Sequence, residues 1–239
     1  MNVLWGIDIW STAVVFGRVG AMLMLLPGFG EPAIPARIRL AFALAVAIAV
    51  APSVAPHVPA PTDTAFGMAG QVILEVLIGL IFGGAARMLM SAAATAGQIA
   101  GTEIGIAFAQ TADPTATQSG QILSVFLSVM GVAMIFATGL DRMFLQGIAG
   151  SYDVIAPGTP APVGDAAELA LNTAASAFRV GFQMAMPVIA AGMIFRIGLG
   201  VLARLIPQIQ VFFVVMPLQV MGGFAVFALD LRGRGRSEG

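Results

Sequence analysis

The sequence predicts an all-α membrane protein built from about six hydrophobic helical segments. Three observations carry that prediction. Of 239 residues, 59% are hydrophobic and only 10% are charged, and the mean hydropathy is +0.96. An ordinary soluble domain carries about 25% charged residues. The apolar residues gather in runs of helix length, which is the signature of chains that live in a bilayer. The main connections are rich in proline: "PGFGEPAIPAR", "APSVAPHVPAPTD" and "APGTPAPVGD". Such stretches end helices and hold loops extended.

The segments follow in order. The first runs roughly from Ile9 to Leu26. The N-terminal "MNVLWGIDIW" lacks the basic region of a cleaved signal peptide, so this segment is expected to stay in the mature protein. The second lies between Arg39 and Pro52, with only 12 uncharged residues. The third runs from Val72 to Met90 and continues as helix towards Gly105, the fourth from Ile122 to Leu140, the fifth from Leu169 to Leu202, and the sixth from Ile209 to Leu229. A basic tail, "LRGRGRSEG", closes the sequence, and no internal repeat is visible.

A spanning helix needs about 20 mostly apolar residues. Only the fourth and sixth segments meet that without a charge. Arg18 sits in the first, Glu75 and Arg87 in the third, and Arg179 and Arg196 in the fifth, with Pro187 between them. An arginine at mid-bilayer costs about 2.5–3.5 kcal/mol on insertion scales, so such groups face a partner or a water-filled cavity. Arginine counts in the loops do not set an orientation. With the C-terminus inside, Arg142, Arg232, Arg234 and Arg236 stand against Arg37, Arg39, Arg87, Arg196 and Arg204. Two readings remain open: one subunit of a larger assembly that covers its charges, or a self-contained six-helix protein with internal ion pairs.

Composition excludes several functions. The net charge of −1 points to neither nucleic acid nor an acidic surface as partner. Cysteine is absent, so disulfides, Fe–S clusters and thiol chemistry are excluded. All 11 basic residues are arginine. The one histidine, His57, sits in a proline loop, "APHVPAP", without a second ligand nearby in sequence. No phosphate loop, HExxH or Ser/His/Asp set can be built. Asp113, Asp141 and Asp153 lie in or beside polar connections, so paired intramembrane aspartates lack support. No metal, no cofactor and no enzymatic activity are expected.

Glycine spacing is more informative. Ala93, Gly97, Gly101 and Gly105 recur every four residues and form one smooth stripe on a helix. Gly79 and Gly83 extend the theme upstream. Small residues so placed allow close backbone approach to a neighbour in a membrane. Beside them, Gln98, Thr102 and Glu103 could line a wet path or pair within the protein. The segment that follows, "FAQTADPTATQSGQ", residues 108–121, holds no large apolar side chain after Phe108 and one charge, Asp113. Asp113-Pro114 breaks a helix, because the residue before proline is pushed out of the α region. Non-helical backbone at membrane depth is tolerated where protein buries it or where it lines a water-filled cavity. Physics alone favours a surface loop here.

Three stretches in chain order resemble the FliR family of the flagellar export apparatus and its injectisome counterpart. Residues 18–52 carry an Arg-bearing helix with Arg18, then Pro27, Gly30, Pro35, Arg37 and Arg39, then a short apolar segment. Residues 97–148 carry a Gly-Gln start, a phenylalanine, an Asp-Pro turn and a long apolar helix. Residues 204–223, "RLIPQIQVFFVVMPLQVMGG", carry the Arg204, Pro207, Gln208 break and the later Pro217. Ala203 departs from the pattern, since many relatives have Asn there, and the tail is short.

The resemblance implies kinked, tilted helical hairpins, many raised above the bilayer plane. It divides the chain into a FliP-like part, 1–150, a Pro-rich connection, 151–168, a FliQ-like hairpin, 169–231, and a basic tail, 232–239. It implies one copy of this chain in a hetero-oligomeric gate with FliP-like and FliQ-like subunits, in the bacterial inner membrane at the flagellar basal body. A FlhB-like switch protein and unfolded export substrates would be further partners. It places residues 106–121 in the pore as a plug. Phe108 would then contribute an apolar constriction, and Asp113-Pro114 would stiffen the turn. Gln110, Thr111, Thr115, Thr117, Gln118 and Ser119 would offer weak, general hydrogen bonding. A stand-alone small-solute transporter, an injectisome gate subunit and a membrane scaffold without a pore are the alternatives.

Overall fold

The computed structural model describes residues 3–4, 7–103, 122–205, 221–226 and 228–229. Strands β1 (Val3–Leu4) and β2 (Ile7–Asp8) form a two-rung antiparallel ladder, with Val3 opposite Asp8. Everything regular after it is helical among the described residues.

Helix α1 (Ile9–Leu25) starts where Asp8 caps it. The Asp8 carboxylate accepts the Ser11 N–H at 3.2 Å and the Ser11 hydroxyl. That hydroxyl bond, more than any other contact, holds the Asp8 carboxyl below its ordinary range. Helix α2 (Ala36–Val54) follows Pro35, whose fixed φ suits a helix entry. Ala43, Ala47 and Ala51 recur every four residues and are buried, so α2 packs a small-residue face into the core that α1 shares through Val15, Val19 and Leu23. The second apolar segment therefore begins earlier than its charge-free part, and Arg37 and Arg39 form its first turn. It also runs through Pro52, which costs one hydrogen bond in the last turn, and ends in a 3₁₀ turn, Ala55–His57.

Helix α3 (Ala65–Glu103) spans 39 residues, or about 58 Å at 1.5 Å per residue. Helix α4 (Ile122–Thr138) meets α5 (Leu140–Val154) at a bend of 79°. Gly139 makes that corner with φ +77°, a left-handed conformation that costs glycine nothing. Helix α6 (Val163–Leu205) begins with Pro162 accepting the Ala166 N–H at 2.8 Å and contains Pro187. Residues 221–226 and 228–229 are helical too.

Three stretches are long and apolar enough to cross a membrane: Ala36–His57, Ala65–Glu103 and Val163–Gly198. The bent pair α4 and α5 makes a fourth if it counts as one span, and α1 is a shorter apolar helix. The chain divides into two compact units, one from Met1–Met90 with Val132–Ala175, the other from Ser91–Gly131 with Ser176–Gly239.

Candidate functional site

The first unit is organised around a buried charge. Arg18 and Glu75 are both 0% exposed, and the arginine Nε donates to Glu75 Oε2 at 2.6 Å. Arg18 Nη1 donates to the carbonyls of Ser151 at 3.0 Å and Ile155 at 2.8 Å. The Ser151 carbonyl also accepts the Ile155 N–H at 3.1 Å. Both carbonyls lie at the C-terminal end of α5, where the helix dipole favours a cation. The guanidinium lies 4.2 Å from the centre of the Tyr152 ring, a cation–π arrangement. The Tyr152 hydroxyl donates to the Val15 carbonyl at 3.2 Å, back on α1. Glu75 Oε1 accepts the Gly158 N–H at 2.9 Å. One ion pair thus joins α1, α3, α5 and the 156–159 turn.

Gly158 is the tightest point of that network. Its φ is +76°, and a Cβ there would overlap the Pro59 ring. Pro59 is itself held by its carbonyl, which accepts the Trp10 indole N–H at 2.9 Å. Gly158→Ala should lower stability by about 1–3 kcal/mol, since a non-glycine residue is strained there and the ring must also move. Thermal unfolding of the detergent-extracted protein checks this.

The 27–39 motif is the turn from α1 to α2. Pro27 is fully buried. Gly28 has φ +88° and faces the Phe136 ring. A side chain on Gly30 would collide with the Met24 carbonyl. Phe29 stacks on Phe42 with centroids 5.4 Å apart and meets Phe136 edge-on at 5.8 Å. Arg39 Nη1 donates to the Gly30 carbonyl at 3.3 Å, whereas Arg37 and Pro35 are exposed. Glu31 pairs with Arg87 at 2.8 Å. In the same unit, His57 and Asp153 line one hollow of about 500 Å³ with Tyr152 and Ser53, a neighbourhood invisible in sequence.

The second unit holds the small-residue stripe. Ala96, Gly97, Ala100 and Gly101 are buried, and Leu123, Leu127 and Val188 pack with the alanines. A Cβ on Gly97 would lie 2.5 Å from Ser124 Cα and 2.7 Å from the Leu123 carbonyl. Backbone cannot step aside as a side-chain tip can, so α3 and α4 touch main chain to main chain here. The Ser124 hydroxyl donates across the contact to the Ala94 carbonyl at 2.9 Å. Gly97→Ala should therefore destabilise by about 1–3 kcal/mol. Gly84→Ala, where a Cβ meets nothing within 4 Å, should be neutral or stabilise by up to about 1 kcal/mol. Parallel melting curves separate the two. Two turns of α3 beyond Gly97, Glu103 pairs with Arg196 of α6 at 2.8 Å. A Cβ on Gly192 would lie 2.7 Å from Glu103 Oε2, so the carboxylate rests against α6.

Gly105, Phe108, Gln110, Thr111, Asp113, Pro114, Thr115, Thr117, Gln118 and Ser119 lie outside the described residues, as do Pro207, Gln208 and Pro217. Arg204 is exposed in the last turn of α6. Sequence reasoning missed α5 as a helix. Its signal is Phe144, Ile148 and Tyr152 at four-residue spacing, interrupted by Asp141, Arg142 and Asp153.

Long apolar helices, with Arg18 and Arg87 paired to carboxylates in the first unit and Arg196 in the second, define an integral membrane protein. The chain belongs to the bacterial export proteins, family 1, whose family model matches residues 9–233. It is 42% identical over 226 residues to the flagellar biosynthetic protein FliR of Caulobacter vibrioides, covering 95% of this chain and 90% of that protein. It is 31% identical to the protein of the same name from Aquifex aeolicus, covering 90% and 82%. With that of Escherichia coli it shares 29% identity over 88% and 80%.

Proposed function

We propose that this chain is a subunit of the flagellar type III export gate in the bacterial inner membrane. It forms part of the pore through which unfolded flagellar proteins leave the cytoplasm. The observation that carries this reading is the match over residues 9–233 to an export family, with relatives that bear flagellar names over four-fifths or more of their length. In this reading one copy assembles with FliP-like and FliQ-like subunits and meets a FlhB-like protein. Residues 1–150 play the FliP-like part, 169–231 the FliQ-like part, 151–168 connect them and 232–239 form the tail.

Residues 106–121 act as the plug. A pore for unfolded chains must let many sequences pass and must not leak ions at rest. Small polar side chains bind a passing chain weakly and generally. An apolar constriction at Phe108 seals by dewetting. The paired Glu103 and Arg196 and the Gly97–Ser124 contact support this role, because they fix the described residues on either side of the segment. Internal pairing of Arg18, Arg87 and Arg196 explains why arginine-bearing helices are tolerated.

The test is export itself. A strain lacking this chain should secrete no hook or filament subunits and regain secretion when the gene is restored. Normal secretion together with a defect in uptake of one small solute would instead favour the transporter reading.

A further inference from the structure

Three arginines inside apolar stretches meet a carboxylate of this chain: Arg18 at 2.6 Å, Arg87 at 2.8 Å and Arg196 at 2.8 Å. Arg179 breaks the pattern. It is exposed on α6 and makes no ion pair or hydrogen bond among the described residues. It stands near the middle of the apolar stretch Val163–Gly198. At about 1.5 Å per residue, more than 20 Å of helix lies on either side of it. An arginine arm reaches a lipid headgroup only near a helix end.

The face on which it sits is fixed. Ala177, Ala185 and Val188 are buried, and Gly181 packs on the Ala92 carbonyl, where a Cβ would lie at 2.8 Å. At 100° per residue, Arg179 points almost directly away from that side. Phe182, Met186, Met193 and Ile197 share the outer side and are exposed. The polar side chains nearest Arg179 on α6, Asn172, Ser176 and Gln183, are neutral and cannot balance its charge, and the face from Met186 to Ile197 beyond them is apolar.

We propose that Arg179 docks a carboxylate of a second, different membrane-embedded chain, which packs along the outer face of α6. A second copy of this chain does not fit. A two-fold contact centred there brings two Arg179 side chains together. Among the described carboxylates, Glu31, Glu75 and Glu103 are already paired, and Asp8, Asp63, Asp141, Asp153, Asp165 and Glu168 lie in loops or near helix ends. The partner is therefore a transmembrane helix with an Asp or Glu at mid-depth and an apolar face to cover Phe182 and Met186.

This inference rests on the hetero-oligomeric reading above. The experiment places p-benzoylphenylalanine at Phe182 in the tagged, membrane-assembled chain and identifies the photocrosslinked peptide. The expected product joins α6 to another protein through a peptide containing Asp or Glu. R179L should lower its yield tenfold or more, R179K should keep at least half, and R179E should be restored by an arginine in place of that carboxylate. A crosslink to phospholipid, to this chain's own peptide around Asp113 or Asp230, or no crosslink would overturn the proposal. So would an R179L yield equal to wild type. If R179L gives the wild-type yield in a complete complex, only this proposal fails. If the wild-type chain purifies alone, the hetero-oligomeric reading fails with it.

Discussion

Arg18→Ala should abolish accumulation of the protein in the membrane. The substitution strands Glu75, which is fully buried and keeps only the Gly158 N–H as a partner on Oε1. It also takes the guanidinium donor from the carbonyls of Ser151, which keeps the Ile155 N–H, and of Ile155. Removing one member of a buried pair costs about 3–5 kcal/mol, a large part of the 5–15 kcal/mol that holds an ordinary domain together. The pair itself is not the source of that stability, because taking both charges out of water is expensive. R18M/E75L should therefore recover much of the loss, with apolar side chains of similar volume in place of the ions. Arg87→Gln is the contrast. Its pair with Glu31 is partly exposed, at 45% and 28% of the two side chains, and its loss should cost about 0–1 kcal/mol. Protein levels in membranes and melting curves in detergent would rank the variants: R18A lowest, the double variant intermediate or better, R87Q near wild type.

Deletion of residues 110–119 should leave the chain assembled and make the membrane leak. The deleted residues, "QTADPTATQS", include no large apolar side chain. The chain on either side is held independently, by Gly97 against Ser124 and by Glu103 with Arg196. If the segment seals a pore, its loss opens a path for ions without unfolding the rest. Slower growth, a collapsed membrane potential and sensitivity to small solutes excluded by wild type are the expected readings, with protein level unchanged. A tight membrane and normal growth would sink the plug role.

Much of the fold was legible because a bilayer permits few solutions. Helices α1, α3, α4 and α6 fall on apolar runs read directly from the sequence. Their ends were harder, and for stated reasons. Helix α3 starts at Ala65 because the Thr64 hydroxyl accepts the Gly67 N–H and caps it, and α6 starts at Val163 with Asp165 in its first turn, where the helix dipole favours an anion. Helix α2 runs through Pro52 because proline suits helical φ and forfeits only one bond. Helix α5 was hidden by Asp141, Arg142 and Asp153, which break up an amphipathic pattern whose apolar side is Phe144, Ile148 and Tyr152. Charges were legible as anomalies but not as pairs. Arg18 and Glu75 lie 57 positions apart, and no local rule links them. The close approach at Gly97 was readable as a stripe of small residues, yet its partner Ser124 was not, since only tertiary structure brings α4 there.

The central claim is that one copy of this chain works inside a larger membrane complex. Native mass spectrometry of the complex, extracted in mild detergent through a tag on this chain, tests it most directly. The account predicts a discrete assembly containing one copy of this chain and several copies of at least one smaller membrane protein. A monomer, or a homo-oligomer free of other proteins, would contradict it.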